Sequence, residues 1–339
     1  MQNLHSRGTS AMVSVCARFV QLLFLGLMFC FLAGCRDDSA VSTKGELIDS
    51  SKKIKVIATL FPQYDFARQV FKDKADVQLL LPPGVESHSY DPTPSNIASI
   101  YCSDLFIYTG KYMELWSEKI ISGMKSKKTK VVDVSRGVDL IKGKKHDHGG
   151  EENHSSSHHH KYDPHIWLDP MIAIIMVDNI LENACEISPE NKDFFTKNAN
   201  SLKEKLKALD KDFEDLTSSS ENDKKKTVVF VGKFAHIYFM NRYKLNYKTM
   251  LDGCFAGAEP SGKKFTEITE IIKQNNIPAI YFEEPSIPSA AQSIAQQTGT
   301  KPLRFSACHN LTKDELESNV SYIDMMRLNY ENLKEGLNP

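Results

Sequence analysis

The sequence predicts an α/β protein of two similar halves, each a parallel β-sheet flanked by helices, with one long helix connecting the halves. Short apolar runs that suit buried strands alternate with helical stretches, a pattern typical of parallel sheets covered on both faces. Between the halves, residues 189–216 carry apolar side chains three and four positions apart, as in a long amphipathic helix that serves as a stiff connector. The chain has 339 residues, 41% of them hydrophobic, which is enough for two domains with ordinary cores.

The first half is predicted to alternate strands and helices. Its strands are expected at 54–60, 77–81, 105–108 and 131–134, and its helices at 64–71, 95–101 and 113–124. A helix over 171–186 follows and leads into the long one. The polar, lysine-ended stretch at 217–226 is a natural boundary.

The second half repeats the alternation. Extended segments are expected at 227–231, 245–250, 278–282 and 302–305, and helices at 234–243, 266–274, 289–298 and 313–337. Gly299 follows the third of these helices and suits its C-cap. No repeat is close enough for a solenoid.

The N-terminus is predicted to be a targeting segment. Arg7 and Arg18 precede an apolar run at 19–32, which is too short for a comfortable membrane span and ends in Leu-Ala-Gly-Cys at 32–35. These four residues resemble a bacterial lipoprotein box, in which Cys35 becomes the acylated first residue. An uncleaved signal anchor is the alternative, and export follows from either.

These observations give seven predicted segments. They are a signal peptide (1–34), a lipidated flexible tether (35–52), an N-terminal α/β lobe (53–143), a His-rich flexible loop (144–162), a segment containing His165 with the helix that follows it in the N-terminal lobe (163–188), a long linking helix (189–217) and a C-terminal α/β lobe (218–339).

Charge argues against nucleic acid as a partner. The formal net charge is -1 and the lysines are dispersed, whereas a nucleic-acid-binding surface needs a basic patch or stripe.

Histidines concentrate in residues 144–170, which hold seven of the eleven in the chain. Six lie in a polar stretch without apolar residues to bury, which predicts an auxiliary metal-collecting loop or, alternatively, a solubilising spacer: His146, His148, His154, His158, His159 and His160. The seventh, His165, lies in an apolar stretch bracketed by Pro164 and Pro170, so we expect it to be held rigidly.

Three further histidines complete a candidate site. His88 lies past the end of a predicted strand, where open parallel sheets bind ligands, although a loop histidine is often ordinary surface. His236 lies on the first predicted helix of the second half, and His309 follows its last strand. If the two halves of the protein face each other, these three imidazoles and that of His165 come together. Zn²⁺ needs three or four such ligands, so the four histidines form a candidate zinc site.

Together these motifs resemble a family, the zinc- and manganese-specific solute-binding lipoproteins of bacterial ABC importers. The matching segments span nearly all of the mature chain: LFPQYDFA at 60–67, PPGVESH at 82–88, DPTP at 91–94, DLFIY at 104–108, DPHIWLDP at 163–170 and AEPS at 258–261. The resemblance implies two α/β lobes joined by one long rigid helix, with the metal in the cleft between them. A His-rich loop before the second ligand is similar to the zinc-type members.

Two positions depart from the family pattern. The third ligand, a histidine in the family, aligns with Lys233, and the fourth, an aspartate, aligns with Ser306. We expect His236 and His309 to have taken over these roles, although His236 also suits a core or surface histidine. Cys308 and Glu259 are weaker candidates, and Glu259 suits a hydrogen-bond partner of a histidine N–H as well.

Four cysteines remain after export and lipidation, namely Cys102, Cys185, Cys254 and Cys308. An even set in an oxidising compartment can pair, and Cys254 with Cys308 is the predicted pair. Four buried or free thiols are the alternative.

The sequence predicts a lipid-anchored, monomeric receptor that faces the periplasm or cell exterior and binds Zn²⁺, and the family resemblance implies that it delivers the metal to the permease and ATPase of an ABC importer. A mostly nitrogen shell favours zinc over manganese. We expect no enzymatic activity, since no His-Glu-x-x-His helix is present. The alternatives are a receptor for manganese or another divalent metal, an exported zinc hydrolase, and a surface adhesin on the same fold.

Overall fold

Two four-stranded parallel sheets form the framework of the protein. The computed structural model describes residues 53–124, 128–143, 161–218, 227–251, 261–283 and 288–337. Helices flank both sheets and a long helix connects them, so the predicted fold class is confirmed. In this part of the chain, no helix has both the length and the apolar character needed to span a bilayer.

The first sheet has the strand order β2-β1-β3-β4, with β1 and β3 central. Its strands are β1 (Ile54–Ala58), β2 (Ala75–Leu79), β3 (Leu105–Tyr108) and β4 (Lys130–Asp133), and its helices are α1 (Phe61–Phe71), α2 (Pro94–Tyr101) and α3 (Ser117–Gly123). The α2 helix begins at a capping box, in which Thr93 and Asn96 satisfy each other's backbone N–H groups.

Two helices follow the first sheet. The first, α4 (Pro170–Ile187), begins where the Asp169 side chain accepts hydrogen bonds from the backbone N–H groups of Met171 and Ile172. After a 3₁₀ turn comes α5 (Lys192–Ser218), whose 27 residues extend about 40 Å. This is the predicted long helix.

The second sheet repeats the topology of the first, in the order β6-β5-β7-β8. Its strands are β5 (Thr227–Phe230), β6 (Asn246–Thr249), β7 (Ala279–Phe282) and β8 (Lys301–Arg304), and its helices are α6 (Ile237–Arg242), α7 (Gly262–Asn275), α8 (Ser289–Thr298), α9 (Lys313–Glu317) and α10 (Tyr322–Leu337). Gly299 caps α8 with a φ of 74°, as predicted.

Some predicted bounds are wrong. The helix expected over 313–337 is two helices, because the chain turns at Asn319, whose φ of 54° is left-handed, and α10 starts again beyond it. The helix expected over 234–243 begins only at Ile237, which leaves His236 at its N-cap.

The two halves share one hydrophobic core. A single cluster of buried apolar side chains extends from β1 to α10 and includes residues of both sheets. The α5 helix contributes to it along its length: Phe195 packs edge-on against Phe71 of the first half, and Phe213 packs edge-on against Phe239 of the second. Smaller clusters cover the opposite face of each sheet.

Candidate metal centre

The carboxyl ends of the parallel strands carry three candidate ligands, together with Lys233. His88 follows β2, Lys233 follows β5, Glu283 directly follows β7, and His309 follows β8. Loops at these strand ends are where open parallel sheets place ligands. His165 joins them from the turn that precedes α4.

His88 and His165 face each other at the spacing of two metal ligands. Their Nε2 atoms are 3.2 Å apart and their ring centroids 5.1 Å apart. Tetrahedral Zn²⁺, with Zn–N bonds of about 2.05 Å, separates two ligand nitrogens by about 3.3 Å and their ring centroids by about 5.2 Å. Both distances of this hydrogen-bonded pair are therefore within about 0.1 Å of those of two imidazoles on one zinc ion.

Asp163 fixes the orientation of the buried His165 ring. Its Oδ1 lies 2.9 Å from His165 Nδ1 and 3.0 Å from the backbone nitrogen of the same residue. Because an ionised carboxylate only accepts hydrogen bonds, Nδ1 carries the proton, and the lone pair of Nε2 is turned toward His88. The neighbouring Trp167 donates from Nε1 to the carbonyl of Ala307 at 2.7 Å, which ties this turn to the second half.

His309 lies close to the pair but not yet at ligand distance. Its ring centroid is 6.4 Å from that of His88, about 1.2 Å more than two ligands of one zinc ion allow. Its Nδ1 is buried and has no hydrogen-bond partner among the described residues. Burial, only partly offset by Glu283, lowers the pKa of His309 to about 4, so its ring is neutral and keeps a free lone pair at neutral pH.

The loop of His309 is attached to the loop of His88. Asn310 donates from Nδ2 to the carbonyls of Pro82 at 3.2 Å and Val85 at 2.7 Å, and Gly84 N donates to the carbonyl of Leu311 at 2.9 Å. These contacts keep the two histidine-bearing loops side by side. Nevertheless, no group of three or more His, Cys, Asp or Glu side chains in the described ranges is already arranged around one metal position.

His236 has the surroundings of a structural histidine. The ring is fully buried, stacks on Phe230 at 4.8 Å and meets Phe305 edge-on. Its Nδ1 lies 3.1 Å from Glu283 Oε1, a contact without hydrogen-bond alignment, and its Nε2 lies 3.3 Å from the carbonyl oxygen of Ser306. Since both nitrogens face protein oxygens, this geometry does not support the ligand role predicted for His236.

Glu283 is a candidate that the sequence reasoning missed. It is 8% exposed, and its Oε1 accepts a hydrogen bond from the backbone N–H of Ala235 at 2.7 Å. Burial acts to raise its pKa, but His236, His309 and His165 together outweigh burial and hold the pKa below its usual value. Because Glu283 also lines the same cavity as His309, its carboxylate suits an oxygen ligand. Its signal in the sequence was an acidic residue directly after an apolar strand.

A cavity of about 220 Å³ opens beside His309. Glu86, Lys233 and Glu283 also line it. The Lys233 ammonium forms an ion pair with Glu86 Oε2, while Glu86 Oε1 lies 3.3 Å from the backbone nitrogen of His88. Both charges act on the pKa of His309, Glu86 raising it and Lys233 lowering it, so the ion pair lies close to the candidate ligands.

Cys308 is a weak ligand candidate in this structure. It is a free, buried thiol whose pKa is raised by burial to about 12, and it donates to the carbonyl of Ser306 at 3.6 Å. The predicted pairing of Cys308 with Cys254 stays a prediction, because Cys254 lies outside the described residues. The other predicted positions outside them are Glu259, the lipidation site Cys35, and loop residues His146, His148, His154, His158, His159 and His160.

Known proteins resemble this chain along nearly its whole length. The family model for zinc-uptake complex component A, periplasmic, matches residues 56–336. The high-affinity zinc uptake system protein ZnuA of Bacillus subtilis is 35% identical over 93% of this chain and 97% of its own length. The zinc-binding lipoprotein AdcA of Streptococcus pneumoniae is 31% identical over 93% of this chain, which spans 60% of AdcA.

Solved structures agree with the sequence relatives. The crystal structure of the Zn(II)-bound ZnuA-like domain of Streptococcus pneumoniae AdcA superposes with a TM-score of 0.71 at 30% identity, over 85% of this chain and all of that domain. The resemblance predicted from the sequence motifs is thus confirmed, and the chain belongs to the family of zinc-uptake complex component A, periplasmic.

Proposed function

We propose that this protein is the solute-binding component of an ABC metal importer, which captures Zn²⁺ in the cleft between its two lobes and delivers it to a membrane permease. The observation that carries the proposal is the 3.2 Å separation of His88 Nε2 and His165 Nε2, which matches two nitrogens on one tetrahedral zinc ion. The ATPase partner of the permease would drive transport.

The proposed ligands are His88, His165, His309 and Glu283. Three neutral imidazoles and one carboxylate give a shell that suits zinc better than manganese, which prefers oxygen ligands. The buried and neutral ring of His309 supports its role, because a protonated imidazole cannot bind a cation. Glu283 supplies the negative charge that offsets part of the cation's charge.

Metal binding would complete the site by moving one loop. His88 and His165 form the prepared half, and His309 would approach by about 1.2 Å to close the shell. The six histidines of residues 144–162 would bind metal weakly and raise its concentration near the cleft.

Binding rather than catalysis fits this shell. Four protein ligands fill a tetrahedral zinc ion, whereas a catalytic zinc keeps one position open for water or substrate. A zinc hydrolase is therefore the less favoured function.

For export, Cys35 would carry the lipid and residues 35–52 would connect it to a monomeric folded body outside the cytoplasm.

Zinc titration of single variants tests the proposal. His88→Ala and His165→Ala should abolish tight stoichiometric binding, and His309→Ala should weaken it by at least about a hundredfold, since each removes one nitrogen ligand. Deletion of 144–161, with His154→Ala as a matched histidine substitution inside that loop, should leave tight binding nearly intact. The cleft assignment is wrong if the deletion abolishes tight binding while the three cleft variants retain it.

A further inference from the structure

Lys233 is an unusual residue for the wall of a cation site. It follows β5 of the second half and lines the same cavity as His309 and Glu283. An ammonium group has no lone pair for a metal and repels a divalent cation, so it weakens metal binding unless its charge is neutralised nearby.

Glu86 provides that neutralisation from the opposite half. Its two carboxylate oxygens have different partners: Oε2 pairs with the Lys233 ammonium, and Oε1 contacts the backbone nitrogen of His88. The ion pair is about three-quarters buried, with side-chain exposures of 28% for Lys233 and 27% for Glu86. At this burial the interaction is screened less than that of a surface pair.

The position of Glu86 would otherwise suit metal coordination. It lies two residues before His88, lines the cavity with His309, and is close enough for its charge to act on the His309 ring. A carboxylate there would be drawn to a bound divalent cation. In the structure Lys233 holds its Oε2 instead.

We propose that Lys233 sets the metal affinity and selectivity of the cleft by keeping the Glu86 carboxylate out of the coordination shell. This inference rests on the proposed metal-binding function. With Glu86 held by Lys233, the shell has three nitrogens and the single carboxylate of Glu283, a set that favours zinc. Once released, Glu86 would add an oxygen ligand and shift the preference toward manganese.

A double-substitution cycle tests the inference. Lys233→Met removes the positive charge but keeps the length of the side chain. We expect it to tighten zinc binding about tenfold and manganese binding more, so that the ratio of the manganese to the zinc dissociation constant falls. Glu86→Gln should weaken zinc binding about tenfold, because it leaves the Lys233 charge beside the metal without a partner. The double variant Glu86→Gln/Lys233→Met should lose the tightening seen in Lys233→Met.

Controls separate this inference from the proposed function. Lys211→Met makes the same substitution in a solvent-exposed ion pair away from the cavity, that of Lys211 with Asp215 on α5, and should leave both dissociation constants unchanged. Lys233→Arg keeps the charge and should not tighten binding. The unsubstituted protein could bind zinc tightly while a folded Lys233→Met variant, with its thermal unfolding midpoint retained, binds zinc and manganese with unchanged or lower affinity. That result would overturn the role of Lys233 and leave the proposed metal site intact. If the unsubstituted protein binds no zinc, the proposed function itself fails.

Discussion

A single carboxylate oxygen of Asp163 holds His165 at two points, the ring Nδ1 at 2.9 Å and the backbone nitrogen at 3.0 Å. The two contacts leave the ring little freedom to rotate. Because the residues are only two apart, the turn 163–165 is itself the element that orients the imidazole, and it holds the lone pair of Nε2 toward His88.

Removing this support should weaken metal binding without removing a ligand. Asp163→Ala is expected to lower zinc affinity by about ten- to a hundredfold, since the ring loses its fixed tautomer and orientation. Titration against a competing chelator measures the change. Asp178→Ala, which removes an exposed partner of Lys203, is the matched control and should bind zinc as the unsubstituted protein does. Equal affinity for both variants would exclude the orienting role.

Zinc should draw His309 toward His88. In a zinc-bound crystal structure we expect the distance between the ring centroids of His88 and His309 to fall from 6.4 Å to about 5.2 Å, while the His88–His165 distance stays near 5.1 Å. A carboxylate oxygen of Glu283 should complete the shell. The assignment of His309 fails if its ring stays at the present distance while zinc occupies the cleft.

His236 should act on metal binding through its neighbours. His236→Phe places an apolar ring among Phe230, Phe234 and Phe305 and removes the contacts to Glu283 and the Ser306 carbonyl. Zinc affinity is expected to fall about tenfold, less than for His165→Ala, because the site keeps its ligands but Glu283 is less well held.

X-ray absorption of the zinc-loaded His236→Phe variant gives the decisive readout. The number of nitrogen ligands should equal that of the unsubstituted protein. The loss of one nitrogen, together with an affinity as low as that of His165→Ala, would make His236 a ligand as first predicted from the sequence. The thermal unfolding midpoint shows whether the variant remains folded.

A buried carboxyl in the first half makes stability depend on pH. Glu114 is 4% exposed and accepts hydrogen bonds from Thr59 Oγ1 at 2.5 Å and from the backbone N–H groups of Thr109 and Gly110. Burial outweighs these contacts and raises its pKa from 4.5 to about 7. Between these values the folded state holds a proton that the unfolded state has lost, so the contribution of Glu114 to stability declines as pH rises.

Because of Glu114, the free energy of unfolding should fall by about 3 kcal/mol between pH 4.5 and 7, at about 1.4 kcal/mol for each unit of pKa shift. Chemical denaturation of the metal-free protein between pH 4 and 8 measures it. Relative to the unsubstituted protein, Glu114→Gln should become more stable from pH 4.5 to 7 and then keep a constant difference. A difference that does not change with pH would show that Glu114 titrates normally.

The sequence was sufficient for most of the framework, because strand and helix identity depend on local apolar spacing. Every predicted strand is present, although β2 starts and ends two residues earlier than expected. The terminal helix was misjudged because its apolar spacing continues across Asn319, while the break depends on a left-handed backbone there.

The site was only partly predictable. His88 and His165 could be predicted as candidate ligands, because the prolines and strand ends around them are local signals. His236 was predicted as a ligand, but its surroundings could not be predicted, because its burial depends on Phe305, which is distant in the chain. Glu283 was overlooked for the same reason, since only the folded chain brings it near three histidines.

The shared core has a mechanical consequence. Rings from both lobes pack against opposite ends of α5, so swinging the lobes apart would expose apolar surface at roughly 25 cal/mol for each Å². Metal binding and release should therefore involve displacement of the strand-end loops, without rigid-body opening of the two lobes. A transporter that binds the surface formed by these loops would then distinguish the metal-bound from the metal-free protein by the positions of the loops.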